Sequence, residues 1–170
     1  MCSRVYNRGI MTQRVGIGQD SHRFLSKKNG KPCVIGGIVF EDVPGMDADS
    51  DGDVVYHAIC NAITSLTHVP ILGKVAVEMC KEGILDSVAY VEKALATLEN
   101  EKIVHIALTI EGARPKFQPR ADEIRQSVAT ACSLGVEQVG ITFTSGDGLT
   151  AFGKGEGLMC YALLTLSLFD

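Results

Sequence analysis

The apolar residues of this chain follow two patterns, and each predicts a different kind of element. Short apolar runs bounded by glycine, proline or charged residues are typical of β-strands. Such runs occur at residues 14–18, 33–40, 103–110, 139–144 and 158–169. The last run is uncharged and apolar on both faces, so we expect both faces to be covered, with other subunits as the expected cover.

Apolar residues spaced three and four apart predict three longer helices between these strands. The predicted helix starts and ends are, in chain order, Ser50, Thr67, Asp86, Pro119 and Gly135. Ser50 and Asp53 have the spacing of a capping box, and proline is common in the first turn of a helix. The stretch 68–82 contains Pro70 and Gly73, which predict an irregular, mobile loop.

Together these elements predict an α/β (α+β) fold, with a single mixed sheet of about five strands backed by helices on one side. The 170 residues have the length of one domain, which we assign to 1–170. Residues 1–12 are predicted to be a loose N-terminal extension, with Met11 as an alternative start. The pair Gly36-Gly37 indicates a bulge or a close backbone contact, and the first two strands could pair as an antiparallel hairpin.

Composition and charge narrow the classes of function. The net charge is −4 and no basic stripe occurs, so neither nucleic acid nor an anionic membrane is expected as a partner. No apolar run reaches the roughly 20 residues of a membrane span. The six cysteines form no CxxC pair and no secretion signal is recognisable, so we expect reduced thiols in a cytoplasmic protein. The hydrophobic fraction of 46% is high for this size and favours an oligomer.

Asp20 and His22 follow the first predicted strand and are the strongest candidates for chemistry. In an extended chain, residues two apart point to the same side, so this carboxylate and imidazole can converge. His57, on the first helix, is the best candidate for a third ligand. Two imidazoles and one carboxylate leave a tetrahedral position open, as in catalytic zinc sites. On spacing alone, a turn aspartate, a surface histidine and a helical Asp53–His57 pair are the better-supported interpretation.

Three later loops carry groups suited to phosphate or to a cation. Residues 153–157 (GKGEG) combine backbone N–H groups with Lys154, a combination that suits phosphate oxygens. Arg114 and Lys116 place two cations on a rigid loop, and Asp147 could hold a hard cation through oxygen. Each has a structural alternative: a glycine-rich turn, a solvated loop and a turn acid. The other histidines and two cysteines on apolar segments are assigned no role: His68, His105, Cys60 and Cys160.

Six short motifs in the chain carry a family resemblance. They are residues 14–22 (RVGIGQDSH), 35–37 (IGG), 50–53 (SDGD) with His57, 114–116 (RPK), 144–147 (TSGD) and 153–157 (GKGEG). Taken together and in this order, they resemble the 2-C-methyl-D-erythritol 2,4-cyclodiphosphate synthase family of the non-mevalonate pathway of isoprenoid biosynthesis. The resemblance covers nearly the whole chain, and it favours the metal-site interpretation of the first motif.

The resemblance implies an activity and an assembly. The activity is that of a phosphorus–oxygen lyase, which cyclises 4-diphosphocytidyl-2-C-methyl-D-erythritol 2-phosphate to 2-C-methyl-D-erythritol 2,4-cyclodiphosphate and releases CMP. The implied assembly is a homotrimer with the sheets facing its centre and active sites between subunits. Two alternatives stay open: a metal-dependent phosphoesterase, and a non-catalytic oligomeric binding module.

The resemblance also implies roles for individual residues. It implies zinc as one cofactor and a second divalent cation, magnesium or manganese, between the substrate's phosphates. The implied zinc ligands are Asp20, His22 and His57, and Asp147 is implied for the second cation. The implied catalytic residues are Asp49 and Ser145. The implied substrate contacts are Asp20, His22, Asp49, Ser50, Gly73, Arg114, Lys116, Thr144, Ser145, Asp147 and Lys154, with the cytidine end along residues 112–118.

The sequence departs from the family pattern at four places. Asp49 stands where a histidine usually steadies the reacting phosphates, and an anion there repels phosphate unless it is protonated or bound to a cation. Ser145 replaces a threonine, and Lys154 replaces an arginine and its bidentate fork. Residues 71–73 (ILG) lack the aspartate that usually binds the erythritol hydroxyls. We therefore expect the zinc site to follow the family more closely than the sugar-alcohol pocket.

Overall fold

A computed structural model of the chain describes residues 13–26 and 30–168. The strands are β1 (Gln13–Arg23), β2 (Cys33–Ile35), β3 (Ile38–Phe40), β4 (Glu101–Glu111), β5 (Val139–Thr144) and β6 (Gly157–Leu168). The helices are α1 (Val54–Thr67), α2 (Lys74–Lys81), α3 (Ser87–Leu95) and α4 (Ala121–Ala131). The predicted loose extension at residues 1–12 lies outside the described residues.

Four of the strands form one mixed sheet in the order β1-β6-β4-β5. β6 is antiparallel to both of its neighbours, whereas β4 and β5 are parallel and α4 lies between them in the chain. The prediction of a mixed sheet backed by helices is confirmed. The expected hairpin between residues 14–18 and 33–40 is wrong, because the second segment folds back on itself as the β2–β3 hairpin. Gly36 and Gly37, with φ of 58° and 76°, form its turn rather than a bulge.

Two glycines in β1 bring α1 close to the sheet. A Cβ atom at Gly18 would lie 2.2 Å from the Ala58 carbonyl oxygen, and one at Gly16 would lie 2.6 Å from that of Ala62. Any other residue at these positions would therefore push the helix away. The Asn61 side chain donates to the Gln19 carbonyl over 2.9 Å. This contact fixes the position of α1 along the strand that carries Asp20 and His22.

Asp53, and not Ser50, is the N-cap of α1, so the predicted helix start was three residues early. The Asp53 carboxylate accepts from the N–H groups of Val55 and Tyr56 and, over 2.8 and 2.7 Å, from those of Gly36 and Gly37. Burial raises the pKa of Asp53, as does the neighbouring Asp51, while the backbone donors act in the opposite direction. One buried carboxylate thus caps α1 and ties the β2–β3 hairpin to it.

Residues 74–81 form the helix α2, which corrects the prediction of a mobile loop across 68–82. The breakers Pro70 and Gly73 precede the helix and do not interrupt it. Gly73 at its N-cap has φ of 106°, which an L side chain rarely adopts. Met79 is buried, and Val75, Ala76 and Cys80 pack partly against the core, so the apolar residues follow helical spacing.

The last two helices confirm most of their predicted features. Asp86 caps α3, and Ile124 and Val128 form the buried face of α4. Gly135 does not end α4, because that helix stops at Ala131 and Gly135 instead precedes a short 3₁₀ turn.

The two faces of the sheet have different environments. The helix-facing side lies in one hydrophobic core that includes Cys60 and Cys160, and burial raises the pKa of both thiols. On the opposite face, Val15 and Ile17 are each 59% exposed, Tyr161 45% and Leu163 40%. A single chain therefore covers only one side of β1 and β6. Among the described residues, no helix combines the length and apolar character that a bilayer crossing requires.

Candidate active site

The structure brings Asp20, His22 and His57 together at the meeting of β1 and α1. Asp20 Oδ2 lies 3.0 Å from His22 Nε2 and 3.1 Å from His57 Nδ1, and the two nitrogens are 3.1 Å apart. Asp20 and His22 lie within β1 rather than beyond its end, because the strand continues to Arg23. They point toward α1 because they share the face of Gly16 and Gly18. The predicted convergence of these three side chains is confirmed.

Asp20 Oδ2, His22 Nε2 and His57 Nδ1 are close enough to hydrogen-bond with one another, and they are also placed to bind one cation together. A cation in contact with all three atoms would accept one lone pair from each. The spacing is close to the roughly 3.3 Å edge of a tetrahedron with 2.0 Å bonds, so the residues fit a zinc-sized ion.

The electrostatics of Asp20 agree with a ligand role. Burial by itself would raise its pKa, but hydrogen bonds from His22 and His57, together with their positive charge, lower the pKa of Asp20 to about 2. The carboxylate is therefore ionised throughout the physiological range. An ionised oxygen is the form that binds a metal ion.

A cleft of about 500 Å³ opens onto the three ligands. It is lined by residues of β1, α1, α2, α3 and the segment that precedes α1. Among the predicted site residues, it includes Asp20, His22, Asp49, Ser50, His57 and Gly73. The cleft thus collects the predicted metal site and the predicted sugar-alcohol contacts.

Sequence reasoning missed several groups around this cleft. Asp47, Cys80 and Tyr90 line it, and the Tyr90 ring stacks on His57 with a centroid distance of 6.0 Å. Lys31 donates to the Ala48 carbonyl oxygen over 2.6 Å. Burial lowers the pKa of this lysine, and the negative charges of Asp51, Asp47 and Asp49 act against that shift. These contacts depend on tertiary packing. The one sequence feature that could have indicated them is the alternation of acids at 47, 49 and 51, which attract a cation such as Lys31.

A second cleft, of about 390 Å³, lies beside the loop after β4 and the end of β5. It includes Lys116, Thr144 and Ser145 from the predicted site. Phe117 and Phe143 also line it, and their rings stack nearly parallel with centroids 5.1 Å apart. The two clefts share no lining residue, so one chain does not combine the metal site with the predicted cytidine loop in a single cavity.

The remaining predicted residues are exposed and line neither cleft. The guanidinium of Arg114 lies 4.8 Å above the centre of the Phe24 ring, and its Nε donates to Gly155. Asp147 has a φ of 47° and accepts a 3.0 Å hydrogen bond from the Ser145 hydroxyl. Within the described part of the chain, it belongs to no cluster of three metal-ligating side chains.

The glycine-rich loop 153–157 is not the backbone cradle that the sequence suggested. The N–H groups of Gly153, Lys154, Gly155 and Glu156 donate to Thr150, Ala151 and Phe152 within the same loop. These donors are therefore occupied by the turn itself. Lys154 is left as the group in this loop that is best suited to an anion.

Comparisons with known proteins agree with this geometry. The model of the YgbB family matches residues 13–167. The 2-C-methyl-D-erythritol 2,4-cyclodiphosphate synthase of Chlamydia caviae is 54% identical over 156 residues, which cover 91% of this chain and 89% of that protein. A solved synthase of that name in a CDP-bound form is 26% identical, with a TM-score of 0.75 and coverage of 90% and 99%.

A more distant structure supports the fold alone. The synthase of Plasmodium vivax is 22% identical to this chain, with a TM-score of 0.79, and the match covers 94% of this chain and all of that one. The match over residues 13–167 and the 54% identity to a curated relative together decide the family. The chain belongs to the YgbB family, the family of the 2-C-methyl-D-erythritol 2,4-cyclodiphosphate synthases.

Proposed function

We propose that this protein cyclises 4-diphosphocytidyl-2-C-methyl-D-erythritol 2-phosphate to 2-C-methyl-D-erythritol 2,4-cyclodiphosphate, with release of CMP. In class it is then a phosphorus–oxygen lyase of isoprenoid biosynthesis. The observation that carries this proposal is the triangle of Asp20, His22 and His57 at the floor of a cleft, in a chain 54% identical to a curated synthase.

The reaction needs positioning and charge neutralisation more than proton transfer. A phosphate oxygen of the substrate attacks the β-phosphorus, the bond between the α/β-bridging oxygen and that phosphorus breaks, and CMP leaves. Since the nucleophile is already an anion, no general base is required, and phosphoryl transfer depends mainly on geometry and electrostatics. Holding the two phosphates in contact can lower the barrier by roughly 7–11 kcal/mol.

We assign the metal to the triad. Zinc bound there supplies a Lewis acid that orients a phosphate oxygen and withdraws its charge. The chain's own contribution is a rigid set of three ligands that face an open cleft. For the second cation, magnesium or manganese, we propose Asp147, whose exposed carboxylate suits a hard ion that retains waters.

We propose the second cleft as the cytidine site. The CDP-bound form of a 26% identical synthase supports a cytidine nucleotide as the ligand class. Lys116, Thr144 and Ser145 line this cleft, and Arg114 and Lys154 offer cations on adjoining loops. Arginine and lysine neutralise diphosphate oxygens, and hydroxyl groups donate to them.

The protein is proposed to act as a homotrimer with the open sheet faces at its centre. Val15, Ile17, Tyr161 and Leu163 give that face the apolar surface that an interface needs. The separation of the two clefts in one chain supports active sites completed by a neighbouring subunit. We keep residues 1–170 as one domain and place it in the cytoplasm, in line with the free thiols among the described cysteines.

Asp49, Ser50 and Gly73 are the proposed contacts to the rest of the substrate, since all three line the metal cleft. The positive charge of Lys31 acts on Asp47, Asp49 and Asp51 and offsets part of their repulsion of phosphate. Asp49 stands where the family usually has histidine, and Lys31 offsets only part of the negative charge around it.

One experiment tests the function directly. The purified full chain is incubated with the cytidylylated methylerythritol phosphate and zinc, and products are followed by phosphorus NMR. A cyclic diphosphate and CMP in equal amounts support the proposal. Inorganic phosphate would instead indicate a phosphoesterase that uses the open ligand position for water, and unchanged substrate would indicate a binding module. Oxygen-18 from solvent in the cyclic product would argue against direct cyclisation.

A further inference from the structure

His57 presents two ring nitrogens to two different environments. Nδ1 faces the metal position, 3.1 Å from Asp20 Oδ2 and from His22 Nε2. Nε2 faces the start of α3, where the Ser87 hydroxyl oxygen lies 2.9 Å away. A neutral imidazole has one proton for its two nitrogens. The contact at Nε2 therefore determines whether Nδ1 keeps the lone pair that a metal needs.

The hydrogen bonds between Ser87 and Asp51 determine which way the Ser87 hydroxyl points. The Ser87 hydroxyl donates to Asp51 Oδ1. The same carboxylate accepts from the Asp53 N–H over 3.1 Å and from the Ser87 N–H over 3.0 Å. Both Asp51 oxygens thus accept from N–H donors, and Oδ1 also accepts from the Ser87 hydroxyl. The single hydroxyl proton of Ser87 therefore goes to Asp51.

With its proton directed at Asp51, the Ser87 oxygen can only accept from His57. His57 must then carry a proton on Nε2, so the neutral imidazole, which is the form that binds a metal, leaves its Nδ1 lone pair free. Ser87 is fully buried, so water does not compete for these bonds. The stacked Tyr90 ring, also on α3, holds the face of the same imidazole.

We propose that Ser87 and Asp51 are positioning residues that hold His57 as the Nε2–H tautomer and so keep Nδ1 ready to bind the metal. This inference rests on the proposed metal centre and adds two residues, Ser87 and Asp51, that orient one of its ligands. Mutation of the hydrogen-bond partners of ligating histidines typically lowers metal affinity by 10- to 100-fold.

Ser50 is the alternative partner of the same nitrogen. Its hydroxyl oxygen is 3.3 Å from His57 Nε2, which is longer than the Ser87 contact, and it also accepts from the Gly52 N–H. Among the described residues, no carboxylate is a hydrogen-bond partner of the Ser50 hydroxyl. We therefore expect Ser50→Ala to change zinc affinity less than Ser87→Ala does.

The first test measures zinc affinity of the full chain by competition with a chromophoric chelator. Ser87→Ala should weaken zinc binding by about 10- to 100-fold. Asp51→Asn should weaken zinc binding similarly. The amide must either point its NH₂ group at the Ser87 N–H or donate to the Ser87 oxygen, and in the second case Ser87 would donate to His57 Nε2 instead of accepting from it. Ser127→Ala is the matched control. It removes a serine hydroxyl that forms a 2.8 Å hydrogen bond with the Tyr56 hydroxyl, and neither residue lines the metal cleft. Its zinc affinity should stay within about twofold.

The second test reads the tautomer itself. Nitrogen-15 NMR of the zinc-free full chain should show His57 protonated at Nε2, and the Ser87→Ala spectrum should show a mixture of tautomers. An Nδ1–H tautomer in the unsubstituted protein would overturn the inference, whether or not Ser87→Ala folds. Equal zinc affinities of the unsubstituted protein and Asp51→Asn would also overturn it.

These outcomes separate this inference from the proposed function. If the unsubstituted chain binds no zinc, or His57→Ala binds it equally well, the proposed metal centre fails. If zinc binds through His57 but both positioning variants match the unsubstituted chain, only the role of Ser87 and Asp51 fails.

Discussion

The two clefts differ in how the fold holds their polar groups. In the metal cleft, each ligand has a partner supplied by secondary structure: the strand aligns Asp20 with His22, and α3 holds the far nitrogen of His57. Around the second cleft, the cations lie on exposed loops, and Asp147 accepts a hydrogen bond from Ser145, two residues before it. One chain therefore preorganises the proposed metal site, whereas we expect the proposed nucleotide site to depend on its ligand or on a neighbouring subunit for order.

Removal of the His57 side chain should disrupt the proposed metal site and have the largest effect on turnover. We expect His57→Ala to lower turnover by roughly 10²- to 10⁴-fold, because a Lewis-acidic metal is worth several kcal/mol in charge stabilisation. The measurement is CMP release at saturating substrate, together with zinc content. His68→Asn is the control, since His68 is exposed at the left-handed C-cap of α1 and asparagine tolerates that conformation. A His57→Ala protein that turns over near the normal rate would exclude the triad as the catalytic metal site.

Local periodicity predicted that Asp20 and His22 could converge, whereas the assignment of these two residues and His57 to a metal site depended on the family resemblance. Alternation within a strand places Asp20 beside His22, and helix geometry sets the direction of His57. The residues that were not predicted depend on packing between distant segments. Ser87 reaches His57 only because α3 packs on α1, and α2 was missed because Pro70 and Gly73 obscure a helix that has one buried residue. The capping error at Ser50 has the same origin, since Asp53 is fixed by the distant β2–β3 turn.

A charge on the open sheet face should show whether the second cleft needs a neighbour. Val15→Lys places an ammonium group where the trimer is proposed to be apolar, and we expect assembly to weaken by roughly 100-fold, because burying an unpaired charge is costly. Sedimentation velocity measures the assembly. Val39→Lys is the matched control, because Val39 is a strand valine of similar exposure, 45% against 59%, on the separate hairpin.

Activity of the Val15→Lys protein tests whether the second cleft is shared between subunits. If the nucleotide site is completed between subunits, the Val15→Lys protein should lose CMP release but keep its affinity for zinc, which a single chain can bind. Full activity from a monomeric variant would contradict the shared site.

Lys154 should affect substrate binding more than turnover. We expect Lys154→Ala to raise KM by about 10- to 100-fold, since a hydrogen bond to a charged group contributes about 1.5–3 kcal/mol. Steady-state kinetics at fixed zinc give the measurement, and Lys93→Ala, an exposed lysine of α3 that lines neither cleft, is the control. Lys154→Arg should bind at least as well as the natural residue, because arginine restores a bidentate contact to phosphate. An unchanged KM in the alanine variant would remove Lys154 from the diphosphate site.

Ser145 should have the smallest effect, because its hydroxyl is exposed and neutral. It lines the second cleft and donates to Asp147, so Ser145→Ala removes one donor and releases that carboxylate. A neutral hydrogen bond contributes about 0.5–1.5 kcal/mol, so we expect turnover to fall about two- to tenfold. Ser145→Thr retains the hydroxyl and should keep the natural rate, which separates loss of the donor from loss of side-chain volume. If Ser145 acts by holding Asp147 for the second cation, the alanine variant should also require more magnesium or manganese for half-maximal rate. A magnesium requirement that is identical in both variants would limit Ser145 to direct contact with the substrate.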